Sequence, residues 1–283
     1  MVNSRSVHLT NFCDVGKVNA LKSATAFILD RCSQFEKMTI REILNITKHR
    51  PWEIPTDNWK FYQEWNNAIF LHYQVELTEL EKFVPQELEI DLFEGKSWIS
   101  VVAFTMEKIK PKNLPSFSPI SDFDEINIRT YVKSNNKTGV YFLSIEGGKN
   151  LSCKVAKGIS ELPYRFSNIK RTDKKYQSQN SEFNDKLNIE FKIGNKLTEK
   201  TELDKWLTER YALFQDTDDS INEFEIHHLE WPINEIDIQK LELNYPRFKK
   251  LINERPSKIH YSKGVKVLAW GKIKNKKTGY NNV

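Results

Sequence analysis

The sequence predicts an α+β fold, a closed or nearly closed antiparallel β-barrel with a few peripheral helices. Two observations predict it. Runs rich in aromatic and β-branched residues, separated by turn formers, recur from Trp59 to Ile273. Segments with helical spacing are few and dispersed, and they do not alternate regularly with the strands. No internal repeat interrupts the pattern.

The first strong strand is NNAIFLHYQVE (66–76). Thr78-Glu-Leu-Glu81 then has a capping-box pattern and predicts a short helix that stops before Pro85. LEIDLF (88–93) and SWISVVAFTMEKI (97–109) read as strands flanking Glu94-Gly95-Lys96, a hairpin turn in which glycine takes positive φ cheaply. The proline-punctuated stretch 110–120 reads as a loop. INIRTYV (126–132) and TGVYFLSIE (138–146) form a further strand pair about Ser134-Asn135-Asn136. Lys154–Ile159 and Leu187–Ile193 also read as strands. Between Thr198 and Phe214 the apolar residues Leu203, Trp206, Leu207, Tyr211 and Phe214 recur every three or four positions and predict the clearest helix. FEIHHLEW (224–231) and KVLAWGKI (266–273) return to strand character, with a short helix expected from Pro246 between them.

The 283 residues divide by pattern into four parts. Residues 1–37 are expected to be an extension, disordered or loosely helical; 38–58 a lead-in; 59–273 the β-barrel domain; and 274–283 a flexible basic tail. Hydrophobic residues make up 39% and aromatic residues 12% of the chain, enough for a sizeable core beside a charged fraction of 29%. The net charge of +5 is concentrated in Lys170–Lys175 and the C-terminal KIKNKKTGYNNV. These runs lack the interleaved aromatic residues on which bases stack, so no nucleic-acid partner is expected. The run Ala24–Leu29 is too short to span a membrane, and no membrane partner is expected. Three cysteines without a CxxC pair argue against a zinc knuckle or disulfide framework and suit a reducing cytoplasm. A homo-oligomer is compatible with the sequence.

Several blocks together are recognisable. Trp65…Phe70-Leu-His72, VPQELEIDLFEGKSWISVVAF (84–104), FDEINIRTYV (123–132), GVYFLSIE (139–146), ELPYRFSNI (161–169), LTERYALF (207–214) and EIHHLEWPI (225–233) occur in an order that resembles the YqjF-like family of uncharacterised proteins. That family is grouped with the acetoacetate decarboxylase-like superfamily, and the resemblance spans roughly residues 59–273. It implies an acetoacetate decarboxylase-like fold and names no reaction.

In the decarboxylases a Schiff-base lysine with a depressed pKa lies in an aromatic-Pro-Lys-Lys stretch. The local counterpart here is Leu162-Pro163-Tyr164-Arg165, where Tyr164 and Arg165 take the two lysine positions. Arginine stays protonated and forms no imine. Lys154 and Lys157 are the nearby alternatives, with ordinary surface lysines as the simpler reading. The decarboxylases also carry a pocket glutamate ahead of a strand, and Phe123-Asp124-Glu125 is similar, which implies Glu125 as a cavity carboxylate. Strand parity then puts Glu125, Asn127, Arg129 and Tyr131 on one face. That polar face suits solvent or a ligand cavity equally well. In a cavity, Arg129 clamps a substrate carboxylate and Glu125 moves a proton.

The adjacent pair His227-His228 cannot point into one space on a strand. Parity puts His228 with Phe224 and Ile226 and makes it the expected inward residue, catalytic beside Glu125; His227 shares its face with Glu225. His72, His227, Tyr164 and Arg210 are the further candidate ligand-binding residues beside Asn127 and Arg129. The spacing suits no metal, and no metal or other cofactor is expected. Trp65, Trp98 and Trp206 read as packing. The leading functional expectation is a small-molecule-binding barrel for a compact carboxylate or carbonyl ligand, anionic in character. It is compatible with an enzyme using acid and base residues without a Schiff-base lysine. The alternatives are a non-catalytic structural or interaction protein with a filled barrel and, more distantly, a decarboxylase-like lyase.

Overall fold

The computed structural model describes residues 38–252 and 255–277. The expectation for residues 1–37 lies outside them. The chain divides into two compact units, Met1–Ile46 and Thr47–Val283. In the first, the described residues hold helix α1 (Ile40–Asn45). Its N-terminus is a capping box: the Thr39 hydroxyl accepts from Glu42 N, and Glu42 Oε2 accepts from Thr39 N at 2.7 Å. No helix among the described residues is long and apolar enough to cross a membrane.

The second unit is mostly β. Its strands are β1 (Phe61–Val75), β2 (Glu89–Ile90), β3 (Ser97–Pro111), β4 (Phe123–Ser134), β5 (Lys137–Gly147), β6 (Tyr164–Phe166), β7 (Asn168–Thr172), β8 (Lys175–Asn180), β9 (Asp185–Lys196), β10 (Ala212–Asp216), β11 (Ser220–His227), β12 (Ile233–Asn244), β13 (Lys258–Ala269) and β14 (Ile273–Lys276). The helices are α2 (Leu77–Leu80), α3 (Ser118–Ser121), α4 (Asn150–Ser160) and α5 (Glu202–Thr208). Hydrogen-bonded neighbours run β11-β10-β5-β4-β3-β1-β13, and β13 pairs back to β11 at Ile226↔Ala269 and His227↔Leu268. From β13 a limb continues through β12, β9, β8 and β7.

The pairing is not antiparallel throughout. β10 runs parallel to β5, and β6 also runs parallel to β5. Parallel partners need long crossovers, and the chain between β5 and β10 passes through α4, the β7–β9 limb and α5. Gly139 permits this contact, because an added Cβ would sit 2.5 Å from Ala212 O.

Alternation divides each central strand between two environments. Ile69, Leu71 and Tyr73 of β1, Ile99, Val101 and Ala103 of β3, and Ile126 and Ile128 of β4 join Tyr176, Leu187, Ile189 and Phe191 of the limb in the main apolar core. The alternate residues, including Phe70, Val102, Phe104 and Met106, belong to a second cluster. Strands buried on both faces read as continuous apolar runs, which is why β1 and β3 lack clean alternation. The β4–β5 turn places Asn135 and Asn136 at φ 51° and 62°, the left-handed region that asparagine tolerates.

Four local expectations change. The segment around Lys154–Ile159 is helix α4, not a strand: Leu151, Val155 and Ile159 recur every four residues, a helical spacing. The helix expected across Thr198–Phe214 ends at Thr208, and Phe214 lies in β10. There Arg210 turns back so that its Nε donates to Trp206 O at 2.8 Å, while its guanidinium is held by Asp91. The helix near Pro246 is a single 3₁₀ turn, Pro246–Phe248. Residues 274–276, expected in the tail, belong to β14, which pairs with β11; residues 278–283 lie outside the described residues.

Candidate functional site

Within the second unit a cavity of about 480 Å³ opens between the inner faces of β1, β3, β4 and β11, the helix α4 and the segment before β4. Strand β4 supplies its polar line. Glu125, Asn127 and Arg129 all face the cavity, as alternate residues of one strand must. Of the eight residues singled out from sequence, these three together with Tyr164, Arg210 and His228 line it. His72 and His227 do not.

Glu125 is buried at one end of this polar line. The Tyr164 hydroxyl donates to its Oε2 at 2.8 Å, and Asn127 Nδ2 donates to its Oε1 at 3.2 Å. Burial outweighs both bonds and pushes the carboxyl up to about 7. Asn127 Oδ1 has no partner among the described residues. A half-turn of the Asn127 amide puts that acceptor against a protonated Glu125, so the same side chain serves both ionisation states.

Arg129 is also buried, and its Nε and Nη2 have no hydrogen-bond partner among the described residues. Its guanidinium lies 5.8 Å from the centre of the Phe70 ring. Burial lowers its pKa, opposed by Tyr131. A guanidinium nevertheless stays charged at neutral pH. The cavity therefore contains a fixed cation with open donors.

The Arg210 guanidinium is already committed. It pairs with Asp91 Oδ2 at 2.6 Å and lies 4.3 Å from the centre of the Trp206 ring. His228 faces the cavity, with Nδ1 bonded to Leu229 O at 2.7 Å, and burial pushes its imidazole down to about 4. It enters the site as a neutral ring that packs against Trp65 and Trp231. His227, on the opposite face, stacks on His49 at 5.5 Å. Its neighbour Glu225 accepts from Arg50 Nη2 at 3.1 Å and Trp52 Nε1 at 2.9 Å.

His72 belongs to a different structure, a buried polar chain. The Tyr131 hydroxyl donates to Leu207 O at 3.0 Å and meets Ser100 Oγ at 2.5 Å. Ser100 Oγ meets His72 Nδ1 at 2.6 Å; His72 Nε2 meets His260 Nδ1 at 3.0 Å; and His260 Nε2 meets Asp204 Oδ1 at 2.7 Å. Asp204 also closes the capping box of α5 with Thr201 and pairs with Lys258 at 2.5 Å. The chain ties α5 to β13, β1, β3 and β4, and it ends two residues beyond Arg129. Burial drives the His72 imidazole well down.

Sequence reasoning missed Ser100 and His260 as partners of His72, and Asp204 as the partner of His260. Spacing along the chain carries no trace of a contact between residues 28 and 188 positions apart. Trp65 packs against Phe104 and Trp231, as the sequence reading expects, and it also lines the cavity, with a buried Nε1 that has no hydrogen-bond partner among the described residues. Lys154 and Lys157 are exposed on α4. Lys272 is the lysine among the lining residues, and it pairs with Glu161 at 2.7 Å. Arg165 stacks on Phe183 at 4.6 Å and bonds Ser144, so it also supplies no amine. No cluster of three or more metal-ligating side chains occurs among the described residues.

Residues 62–266 match DUF2071, described as an uncharacterized conserved protein. The chain is 31% identical over 228 residues to the uncharacterized protein YqjF of Bacillus subtilis (strain 168), covering 77% of this chain and 93% of the relative. Among solved structures, an acetoacetate decarboxylase from Legionella pneumophila matches with a TM-score of 0.53 at 12% identity, over 84% of this chain and 96% of that one. The enduracididine biosynthesis enzyme MppR complexed with pyruvate matches with a TM-score of 0.52 at 8% identity, over 79% and 93% of the two chains. An acetoacetate decarboxylase-like enzyme from Sphingomonas wittichii RW1 gives 0.54 at 12% identity, over 78% and 95%. At such identities the likeness carries the fold alone. The chain is therefore a member of the DUF2071 family of uncharacterized conserved proteins, with a fold like that of acetoacetate decarboxylase.

Proposed function

We propose that the closed strand circuit is a barrel whose interior binds a small molecule bearing a carboxylate or carbonyl group. In this reading it acts on the ligand by acid–base chemistry without an imine. One observation carries it: Arg129, buried in the cavity wall, has two guanidinium nitrogens, Nε and Nη2, without hydrogen-bond partners among the described residues. Leaving a buried cation unpaired costs several kcal/mol on the order of magnitude, so such a group is retained where a ligand anion completes it. An arginine fork suits a carboxylate in bidentate fashion.

Glu125 is the acid–base group of this reading. A carboxyl titrating near 7 is present in both forms around neutral pH, the condition for efficient proton transfer. Tyr164 and Asn127 position it. The apolar walls lower the local dielectric and strengthen charge interactions at the buried end. The cavity of about 480 Å³ supports a binding interior over a filled one. A pyruvate complex of a fold neighbour makes a 2-oxo acid a reasonable first probe. Lys154 and Lys157 lie exposed on a helix, and this speaks against imine chemistry.

Saturation-transfer NMR with pyruvate tests the proposal. Transfer to the pyruvate methyl in the wild type, and its loss in Arg129→Met, is the expected result. Equal transfer in both proteins would remove Arg129 from the site.

A further inference from the structure

The cavity is built in two parts. Its polar groups, Glu125, Asn127, Arg129 and Tyr164, are on or against β4 in the buried interior. Its other end is apolar and open. Leu114, Phe117 and Ile159 line the cavity, yet they are 60%, 62% and 56% exposed. These are large apolar side chains held in water beside a cavity entrance, on the segment before α3 and on α4. Isolated exposed apolar residues need no explanation, but several that share one mouth do. Val155 and Leu162 continue the same lining inward.

Size points the same way. The cavity volume is about 480 Å³. It falls in the range of roughly 300–1,000 Å³ that holds drug-sized ligands. A three- or four-carbon acid seated at Arg129 leaves most of that space unfilled, and the aromatic wall of Trp65, Phe70, Phe104 and Trp231 has only two indole N–H groups as polar atoms.

Resting on the carboxylate reading above, we propose that the ligand is an amphipathic monocarboxylic acid. Its carboxylate meets Arg129 inside, and its apolar chain runs past Glu125 and out between Leu114, Phe117 and Ile159. Burying the chain supplies the affinity, and the single charge sets the orientation. The apolar mouth gives the end of the chain a surface to lie on.

Titration calorimetry with butanoate, hexanoate, octanoate and decanoate, and with the matching primary alcohols, tests this. Each added methylene contributes about three- to fourfold in affinity when fully buried, so successive acids should tighten by roughly tenfold. Each alcohol should bind at least about tenfold more weakly than its acid, because it lacks the charge. Phe117→Ser and Ile159→Ser alter exposed residues and should leave folding intact. They should weaken decanoate several-fold and leave butanoate unchanged.

Affinity that stays flat from butanoate to decanoate, with acids still preferred, overturns the amphipathic ligand and leaves the carboxylate reading standing. Alcohols that bind as tightly as their matching acids, with affinity still rising along the series, overturn the carboxylate reading itself. Absence of binding for every acid overturns both.

Discussion

The Tyr164 hydroxyl donates a 2.8 Å hydrogen bond to Glu125 Oε2 inside an apolar cavity, and the carboxyl nevertheless titrates at about 7. The conflict between donor and burial sets the chemistry of the site. Hydrogen bonds to a carboxylate favour its charged form, whereas removing it from water disfavours that form more strongly. Two positions along the same strand, Asn127 offers the only side-chain amide bond that Glu125 receives among the described residues.

This raised carboxyl has a consequence for stability. Between the unfolded value of about 4.5 and the folded value of about 7, the native state binds more protons than the unfolded chain. Stability therefore falls as pH rises through that window and levels off above it. The loss is on the order of 3 kcal/mol. Glu125→Gln carries no such charge, so its melting temperature relative to wild type should rise between pH 5 and pH 8. A difference that stays constant with pH would place the ordinary carboxylate pKa back on Glu125.

His72 and His260 form the middle of a buried chain, so their removal should not be additive. Either single substitution to leucine strands polar atoms of its partner, at about 1–3 kcal/mol each. The double variant removes both rings together. Urea midpoints should show it losing at least about 1 kcal/mol less than the sum of the two single losses. Strict additivity would mean that the 3.0 Å contact between the rings carries no energy.

Reduction with borohydride in the presence of acetoacetate or pyruvate should label no lysine. Lys154 and Lys157 lie exposed on α4 and are not among the residues lining the cavity, and Tyr164 and Arg165 supply no amine. A mass increment at either lysine would restore imine chemistry.

The sequence made β4 legible. Alternation alone grouped Glu125, Asn127 and Arg129, because a strand's period of two is unaffected by what packs around it. It left open whether that face met solvent or a cavity, which depends on strands far away in the chain. The inward choice for His228 followed from the same parity. The strand expectation over Lys154–Ile159 fails because six residues are too short a window to tell the two periods apart, and the four-residue recurrence shows only when Leu151 is included. The helix before β10 was overextended because Tyr211 and Phe214 continue its spacing by coincidence, while the Arg210–Asp91 pair that helps to end it spans 119 residues. The partners of His72 and the apolar mouth at Leu114, Phe117 and Ile159 are products of folding, and no local pattern encodes them.

The most direct measurement is the thermal melt of Arg129→Met in the absence of any ligand. Methionine keeps an apolar stem of similar length and removes a buried cation whose Nε and Nη2 have no hydrogen-bond partner among the described residues. If the charge is held for a ligand, its removal relieves a desolvation cost. The melting temperature should then equal that of the wild type or exceed it by up to about 5 °C, the scale of a change of one to two kcal/mol in a chain of this size. A fall of about 10 °C or more would contradict the account, because it would make Arg129 a structural partner of groups inside the fold.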